Sequence, residues 1–594
     1  MFFTIIKIWA VALVLLCYSG WGLAHWLTPP LLRPVRPLLV PFFGYALAAL
    51  TLYYLLWLGI AIDTGRWILL LLATLLNLLG WWFNRRSPRI RLCWDELGLA
   101  GGVALFAGIV AVLPLLAHGI LAPIGASWDV EFYLPLATYL RHWPYARLSE
   151  APANPLIGIM QSDPTYARAI GFSYVQGLVD SFRDWDALRT FAPMLGLMRL
   201  LAAPAVFLFA RYGLRLSKWA AALAAILVTL NELLLWVEYT GFAMHVSSMP
   251  LIPFTLLLTI LAFQELRPRT TLAASLMLAA LAVSYHPGLL GYGALAAGAG
   301  LWYLLRTPHR TSLVLHGTAL LLGAAMLTFL VQVRADRAFF QVYEQGASAL
   351  GTPGYISLRT LLGLTPLAAA EAPAPPPWGA QVVAAWPTVI NLAFGLMLLL
   401  GVLWLWRSRS TRGLALTMGG MAIIYALGLR YVVAFPYGHM KGLSFISFLP
   451  LTLIAGGTEL LAVRGQLRPA RWVVTGLATS LLLLVITATA WSSYTRVASG
   501  PTLYGREQLR LLELAAVIPP GAPVLLSGSE ELRGTTSGLV AYVLRDHPLI
   551  GRTATGYLVY DRLAPGATAP YAVLGPHDDP AAWGFLQPPV WHSP

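Results

Sequence analysis

The sequence predicts an all-α polytopic membrane protein with about 14 transmembrane helices and a small C-terminal extracytoplasmic α/β domain. Three observations carry this. Of 594 residues, 58% are hydrophobic and only 11% are charged, whereas a soluble domain is nearer half apolar and about a quarter charged. Apolar runs close to the roughly 20 residues that cross a bilayer recur along the chain. Lys and Arg collect in alternate short connections, the pattern of loops on the cytoplasmic side.

The expected spans are 4–26, 42–62, 65–83, 97–121, 190–213, 219–237, 247–264, 271–286, 287–306, 312–333, 385–406, 413–433, 444–463 and 472–493. The pair within 271–306 is divided only by Tyr285-His286-Pro287-Gly288. The first run is read as a retained span. Ile5 to Leu23 is long for a signal h-region, and no small-residue cleavage site precedes Pro29-Pro30.

Six basic clusters fix the orientation. They are Arg85, Arg86, Arg89 and Arg91; Arg211, Arg215 and Lys218; Arg267 and Arg269; Arg306 and Arg310; Arg407, Arg409 and Arg412; and Arg464, Arg468 and Arg471. With the spans above they share one side, read as cytoplasmic. Arg33 and Arg36 join them, which puts the N-terminus outside; Lys7 opposes this. The formal charge of +14 is therefore loop charge, and no nucleic-acid partner is expected. Cys17 and Cys93 offer neither a disulfide framework nor a zinc spacing.

Asp129, Glu238, His245, His286, His439 and Lys441 fall on the opposite, external side. The resulting organisation is 1–96, additional N-terminal spans; 97–333, a transmembrane module with an external acidic loop at 122–189; 334–384, an external loop; 385–493, C-terminal spans; and 494–594, the α/β appendage. In the first loop Glu131 to His142 carries a helical stripe, Phe132, Leu136, Tyr139 and Leu140. Asp163-Pro164 reads as the start of a second helix that runs to about Phe182. Both are expected to lie on the membrane surface. The 334–384 loop ends in the proline run Glu371-Ala-Pro-Ala-Pro-Pro-Pro-Trp378. In the appendage Pro523–Ser527, Gly556–Tyr560 and Tyr571–Gly575 read as strands, and Gln508–Val517 and Thr536–Leu544 as helices. It has no P-loop, no G-x-G-x-x-G and no nucleophile elbow, so no chemistry of its own is expected, though it could cover a pocket.

The chemistry concentrates in Gly125-Ala-Ser-Trp-Asp-Val-Glu-Phe-Tyr133, delivered by the run Leu97–Leu121 to a span end. Carboxylates at a membrane boundary are costly unless solvated or paired. Asp129 and Glu131 suit a general base on an acceptor hydroxyl or oxygen ligands for a divalent cation such as Mg or Mn. Glu238, in Trp-Val-Glu-Tyr-Thr-Gly241, is either a second acid on the same cavity or a solvated loop carboxylate. His245 reads as structural. His286, before Pro287, either satisfies carbonyls freed by the proline or touches a phosphate or sugar. Arg430, Tyr437, His439 and Lys441 crowd the external ends of consecutive spans. Cations there break the charge bias and suit a phosphate at the lipid boundary; snorkelling to headgroups is the alternative.

Trp128-Asp129-Val-Glu131, the helical loop after it, Glu238 and the appendage together resemble the GT-C superfamily of polytopic membrane glycosyltransferases, over roughly 97–594. Members usually begin with the span that leads into the acidic loop, whereas three spans precede it here, and Asp-Val-Glu is not an adjacent pair. The resemblance implies a bacterial glycosyltransferase of the cell membrane that takes a sugar from a polyprenyl-phosphate donor to a glycan, lipid or protein acceptor, with inversion. Asp129 would be the base or a metal ligand. Charge alone assigns Arg430, His439 and Lys441 to the phosphate. A lipid-linked glycan flippase needs ionisable groups at mid-membrane depth; the spans read as mostly clean of them. A scaffold subunit would tolerate Asp129→Asn. A phosphoethanolamine transferase needs a larger metal domain, and an O-antigen-ligase-like transferase would not need Asp129 as base.

Overall fold

In the computed structural model the described residues are 1–85, 91–125, 129–151, 154–157, 170–328, 355–367, 380–462, 469–500, 502–506, 508–527, 535–551, 569–575, 577–583 and 590. The expected starts at Asp163-Pro164 and in the proline run, the strand Gly556–Tyr560, and Trp128, Arg86, Arg89, Arg464 and Arg468 lie outside them.

The protein is a polytopic helical membrane protein. Among the described residues twelve helices are long and apolar enough to cross a bilayer. The pair Lys218–Thr229 and Glu232–Thr240, bent by 49°, makes one more candidate, and Pro268–Ser284 is a shorter apolar helix. Each expected span therefore carries a helix. In chain order these are α1 Phe2–Leu27, α2 Val40–Trp57, α3 Ile62–Asn84 and α4 Trp94–His118. The shorter helices α5 Val130–Tyr139 and α6 Gly171–Ser181 follow. Then come α7 Ala187–Leu208, α8 Lys218–Thr229, α9 Glu232–Thr240, α10 Ala243–Glu265, α11 Pro268–Ser284, α12 Gly288–Arg306 and α13 Arg310–Leu327. The last spans are α14 Ala380–Arg407, α15 Arg412–Leu427, α16 Pro436–Ile446 with α17 Phe448–Ala462, and α18 Pro469–Ser499.

Two helix ends differ from expectation. The 42–62 run breaks after Trp57, where Gly59 turns the chain at φ +83, a conformation that favours glycine. The 219–237 run breaks at Asn231. Its side chain accepts from Leu234 N–H at 3.2 Å to cap α9, and its amide donates to Leu361 O at 2.9 Å. A tertiary partner thus replaces the helical bonds lost at the break.

One basic cluster is paired with acids at its end of the bundle. Arg211 Nε donates to Glu96 at 2.9 Å, Lys218 Nζ pairs with Asp95 at 2.5 Å, and Ser217 N–H donates to Glu459 at 3.1 Å. The acidic loop and the appendage share the other end. The appendage holds a short parallel sheet, β1 Val524–Leu526 between β2 Leu549–Gly551 and β3 Tyr571–Val573, with helix α19 Thr535–Val543. The strand β2 was not expected; Leu549-Ile550-Gly551 is too short to show alternation. Tyr542 donates to Asp186 at 2.9 Å and Arg545 pairs with the same carboxylate at 3.3 Å. Tyr139 O–H donates to Arg545 O, and Asn154 to Ala541 O, both at 3.0 Å. Asp186 also caps α7 by accepting from Leu188 N–H. One carboxylate therefore fixes both the start of a span and the appendage above it.

The three N-terminal spans are built into the bundle. A Cβ on Gly20 would lie 2.0 Å from Val40 O, and one on Gly22 2.2 Å from Leu76 O, so α1 meets α2 and α3 at backbone contact, the small-residue packing that membrane helices use. Trp9 donates to Pro193 O at 2.7 Å, and Phe42 stacks on Phe254 at 4.4 Å.

This arrangement puts the α1–α2 and α2–α3 connections on opposite sides of the membrane. In a Cys17→Ser, Cys93→Ser background, single cysteines at the exposed Leu31 and Leu58 are expected to react with an impermeant thiol reagent from opposite faces of sealed vesicles. Reaction of both from one face would contradict the topology.

Candidate active site

Asp129 closes the loop from α4 and occupies the N-terminal boundary of α5. Tyr133, one turn on, donates its hydroxyl to Asp129 Oδ2 at 3.4 Å, and its ring stacks on Phe191 of α7 at 6.1 Å. Facing the half-buried Asp129 is Lys441 of α16, and the two charges interact. Burial pushes the Asp129 carboxyl above the usual carboxylate range; the Lys441 charge and the Tyr133 hydroxyl pull it back.

The Lys441 ammonium stands in an aromatic box. It lies 4.2 Å from the Tyr437 ring centroid, 4.5 Å from Phe242 and 6.0 Å from Tyr285, within cation–π range. Tyr437 and Lys441 are one turn apart and share a face. Phe242 follows Gly241, whose φ of +91 ends α9 in the left-handed region. Ala434, a non-glycine at φ +53, makes the corner before α16. Strain of this kind persists where the surroundings over-determine it.

His245 secures α16 from below. Ser444 O–H donates to Lys441 O at 2.6 Å, so the 2.5 Å contact between Ser444 and His245 Nε2 has the imidazole N–H as donor. The ring stacks on Phe445 at 4.4 Å. His245 is thus a structural tie between α10 and α16, as expected.

Other expected residues sit differently. Glu238 is neither solvated nor in the Asp129–Lys441 group. It is 4% exposed and pairs at 3.5 Å with Arg199, itself 1% exposed. Arg199 lies midway along α7 and also donates to Thr229 O, the open carbonyl at the α8–α9 break, at 2.6 Å. This corrects the reading of the spans as clean: a charged pair lies inside the bundle. The signal was Arg199, midway along the 190–213 run, where the other arginine, Arg211, stands at its end. A cavity of about 20 Å³, room for about one water, adjoins Glu238 and is lined by Ile124, Gly125 and Phe191.

His286 is half-buried in the turn between α11 and α12, and burial pushes its pKa down to about 4. It is neutral near pH 7 and can offer a hydrogen bond but no charge to a phosphate. The expected phosphate set divides. His439 is two residues from Lys441 and therefore on the other face of α16, beside Tyr355 and Arg430. Glu131 lies in the first turn of α5, but its side chain is outside the described residues. Among the described residues no three His, Cys, Asp or Glu side chains are grouped to hold a metal ion. Phe242 and Arg199 are the contributors that sequence reading missed.

No family model matches the chain, and no curated protein matches it. Among solved structures it is similar to the apo crystal structure of ArnT from Cupriavidus metallidurans, at 14% identity and a TM-score of 0.40, over 77% of this chain and 86% of that one. No residue role here rests on that likeness.

Removing one member of a buried pair strands the other charge. Arg199→Leu is expected to destabilise the detergent-solubilised protein by about 3–5 kcal/mol, read as a lowered Tm. Arg199→Leu with Glu238→Leu is expected to recover much of it. Equal losses in the single and double variants would contradict the pairing.

Proposed function

We propose that the protein is an integral membrane glycosyltransferase of the GT-C type that takes a sugar from a polyprenyl-phosphate donor to a glycan, lipid or protein acceptor at the extracytoplasmic face. The observation that carries this is a half-buried carboxylate opposed to an aromatic-boxed ammonium, Asp129 and Lys441, at the end of the bundle beneath the appendage. That end lies opposite the basic clusters, which makes it extracytoplasmic by the distribution of Lys and Arg. The site would then belong to a multi-pass protein of the cell (inner or plasma) membrane.

In this reading the acceptor hydroxyl gives its proton to Asp129 while its oxygen attacks the anomeric carbon. The bond from that carbon to the phosphate oxygen breaks, and the lipid phosphate leaves with the electron pair. Attack opposite the leaving group inverts the centre. Lys441 answers the charge that develops on the departing phosphate. Its box is made of aromatic faces, which hold the ammonium without cancelling its charge for an incoming anion. Phe242 and Tyr437 also offer faces to a sugar ring.

The carboxylates Asp129 and Glu131 would suit a divalent cation such as Mg or Mn as oxygen ligands, and the resemblance allows Asp129 as a metal ligand. Of that pair the described residues include only the Asp129 side chain. Asp129 already faces an ammonium, and no group of three ligands is present among the described residues.

The second reading is a lipid-linked glycan flippase, and Arg199–Glu238 at mid-bundle is the observation that favours it. An O-antigen-ligase-like transferase shares the membrane plan but does not need Asp129. Transfer from a polyprenyl-phosphate sugar by purified protein in lipid separates the three. Wild type is expected to turn over, and Asp129→Asn to lose at least about a hundredfold as a missing base. Full activity in Asp129→Asn would remove the base assignment, and movement without transfer would favour the flippase.

The charge coupling gives a pH signature. Lys441 stabilises the Asp129 carboxylate, so Lys441→Met raises the Asp129 pKa further. The acid limb of kcat/KM then moves to higher pH, because the base is protonated over a wider range. An unmoved limb would show that the two groups do not interact during turnover.

A further inference from the structure

The far face of α16 carries a second cationic group. Arg430, in the π-helical turn Gly428–Val432 that ends the α15 span, is exposed. Its guanidinium carbon lies 5.1 Å from the Tyr355 ring centroid and 5.5 Å from that of Tyr431. Behind it His439 packs edge-on to Tyr355 at 5.3 Å and 77°. His439 is 3% exposed, and its Nδ1 has no hydrogen-bond partner among the described residues. Arg430 has no carboxylate partner among them either. An Arg over an aromatic ring with no carboxylate partner among the described residues, near a buried imidazole whose Nδ1 has no hydrogen-bond partner among them, suits an anion.

The platform is fixed. Tyr355 begins the segment 355–367, which is pinned into the bundle at three points. Asn231 donates to Leu361 O at 2.9 Å, Leu367 N–H to Glu232 at 3.0 Å, and Thr489 to Gly363 O at 2.7 Å. A snorkelling arginine needs no such platform. The surroundings are apolar and exposed: Tyr431 is 69% exposed, Val432 81% and Leu358 50%. An anion that arrives here comes with an apolar tail beside it.

We infer that Arg430, His439 and Tyr355 form a second phosphate site at the bilayer margin, separated from Lys441 by the body of α16, and that it takes the phosphate headgroup of a membrane lipid. Arg430 meets the phosphate oxygens through its two-pronged guanidinium, His439 adds a hydrogen bond through Nδ1, and the tail lies along Tyr431, Val432 and Leu358. The site rests on its own geometry and does not require the glycosyl-transfer reading.

The test is equilibrium binding of radiolabelled farnesyl phosphate to the full chain in nanodiscs of neutral lipid, in a Lys441→Met background that silences the other face. No turnover is needed, so failure of the transferase reading does not affect it. Saturable binding is expected, weakened about 10-fold or more by Arg430→Gln and by His439→Gln, as the loss of a charge-assisted or buried hydrogen bond gives. Farnesol is expected not to compete, and inorganic phosphate only at far higher concentration. Arg430 is exposed, so Arg430→Gln should keep the parent Tm and remains informative if His439→Gln does not fold. Absence of saturable binding, or unchanged affinity in Arg430→Gln, would overturn the site. Competition by inorganic phosphate at equal concentration would overturn the lipid as its source.

Discussion

The end of the bundle beneath the appendage depends on holding one half-buried ammonium in place. A buried Lys must be answered by a carboxylate or by aromatic faces, and here both converge. Lys441 comes from α16, Asp129 from the start of α5, Phe242 from the α9–α10 turn and Tyr285 from the end of α11. Those elements are far apart in sequence, so the site exists only when the bundle is assembled. His245, Ser444 and the strained corner at Ala434 each restrict where α16 can lie. A shift of one residue along α16 would turn Lys441 away from Asp129 and bring another side chain into the box.

The polar interior below the site has the same logic. A break in a membrane helix leaves carbonyls and N–H groups that lipid cannot satisfy. The α8–α9 break is answered by Arg199 on Thr229 O and by Asn231 on Leu361 O. Glu232, fully buried at the first residue of α9, accepts from Ser493 at 2.6 Å and Leu367 N–H at 3.0 Å and pairs with Arg496 at 3.1 Å. The break and the 355–367 segment are therefore one construction. It fixes α9, and through Gly241 it fixes Phe242 over Lys441. The interior charges thus have a positional role that a transporter reading does not require.

Much of this was legible in the sequence, and the limits are physical. Span positions follow from apolar length and sidedness from Lys and Arg, and both are local properties. The prominence of Asp129 and Lys441 followed from charge at span ends. The strands at Val524–Leu526 and Tyr571–Val573 followed from short β-rich runs between turn residues. Pairing did not follow. Nothing local says that Arg199 meets Glu238, because the partner lies on another helix. The division of His439 from Lys441 was implicit in their spacing of two, which a helix sends to opposite faces; an expected span that began only at 444 hid it. Phe242 reads as an ordinary apolar residue until Lys441 is seen above it.

The central claim is that Asp129 and Lys441 act as one unit. A double-mutant cycle on kcat/KM for transfer from a polyprenyl-phosphate sugar, with Asp129→Asn, Lys441→Met and both together, tests it directly. The account predicts strong non-additivity, with the double variant little worse than Asp129→Asn alone. Losses that multiply independently would mean that the two residues serve separate purposes, and the site would have to be drawn around one of them.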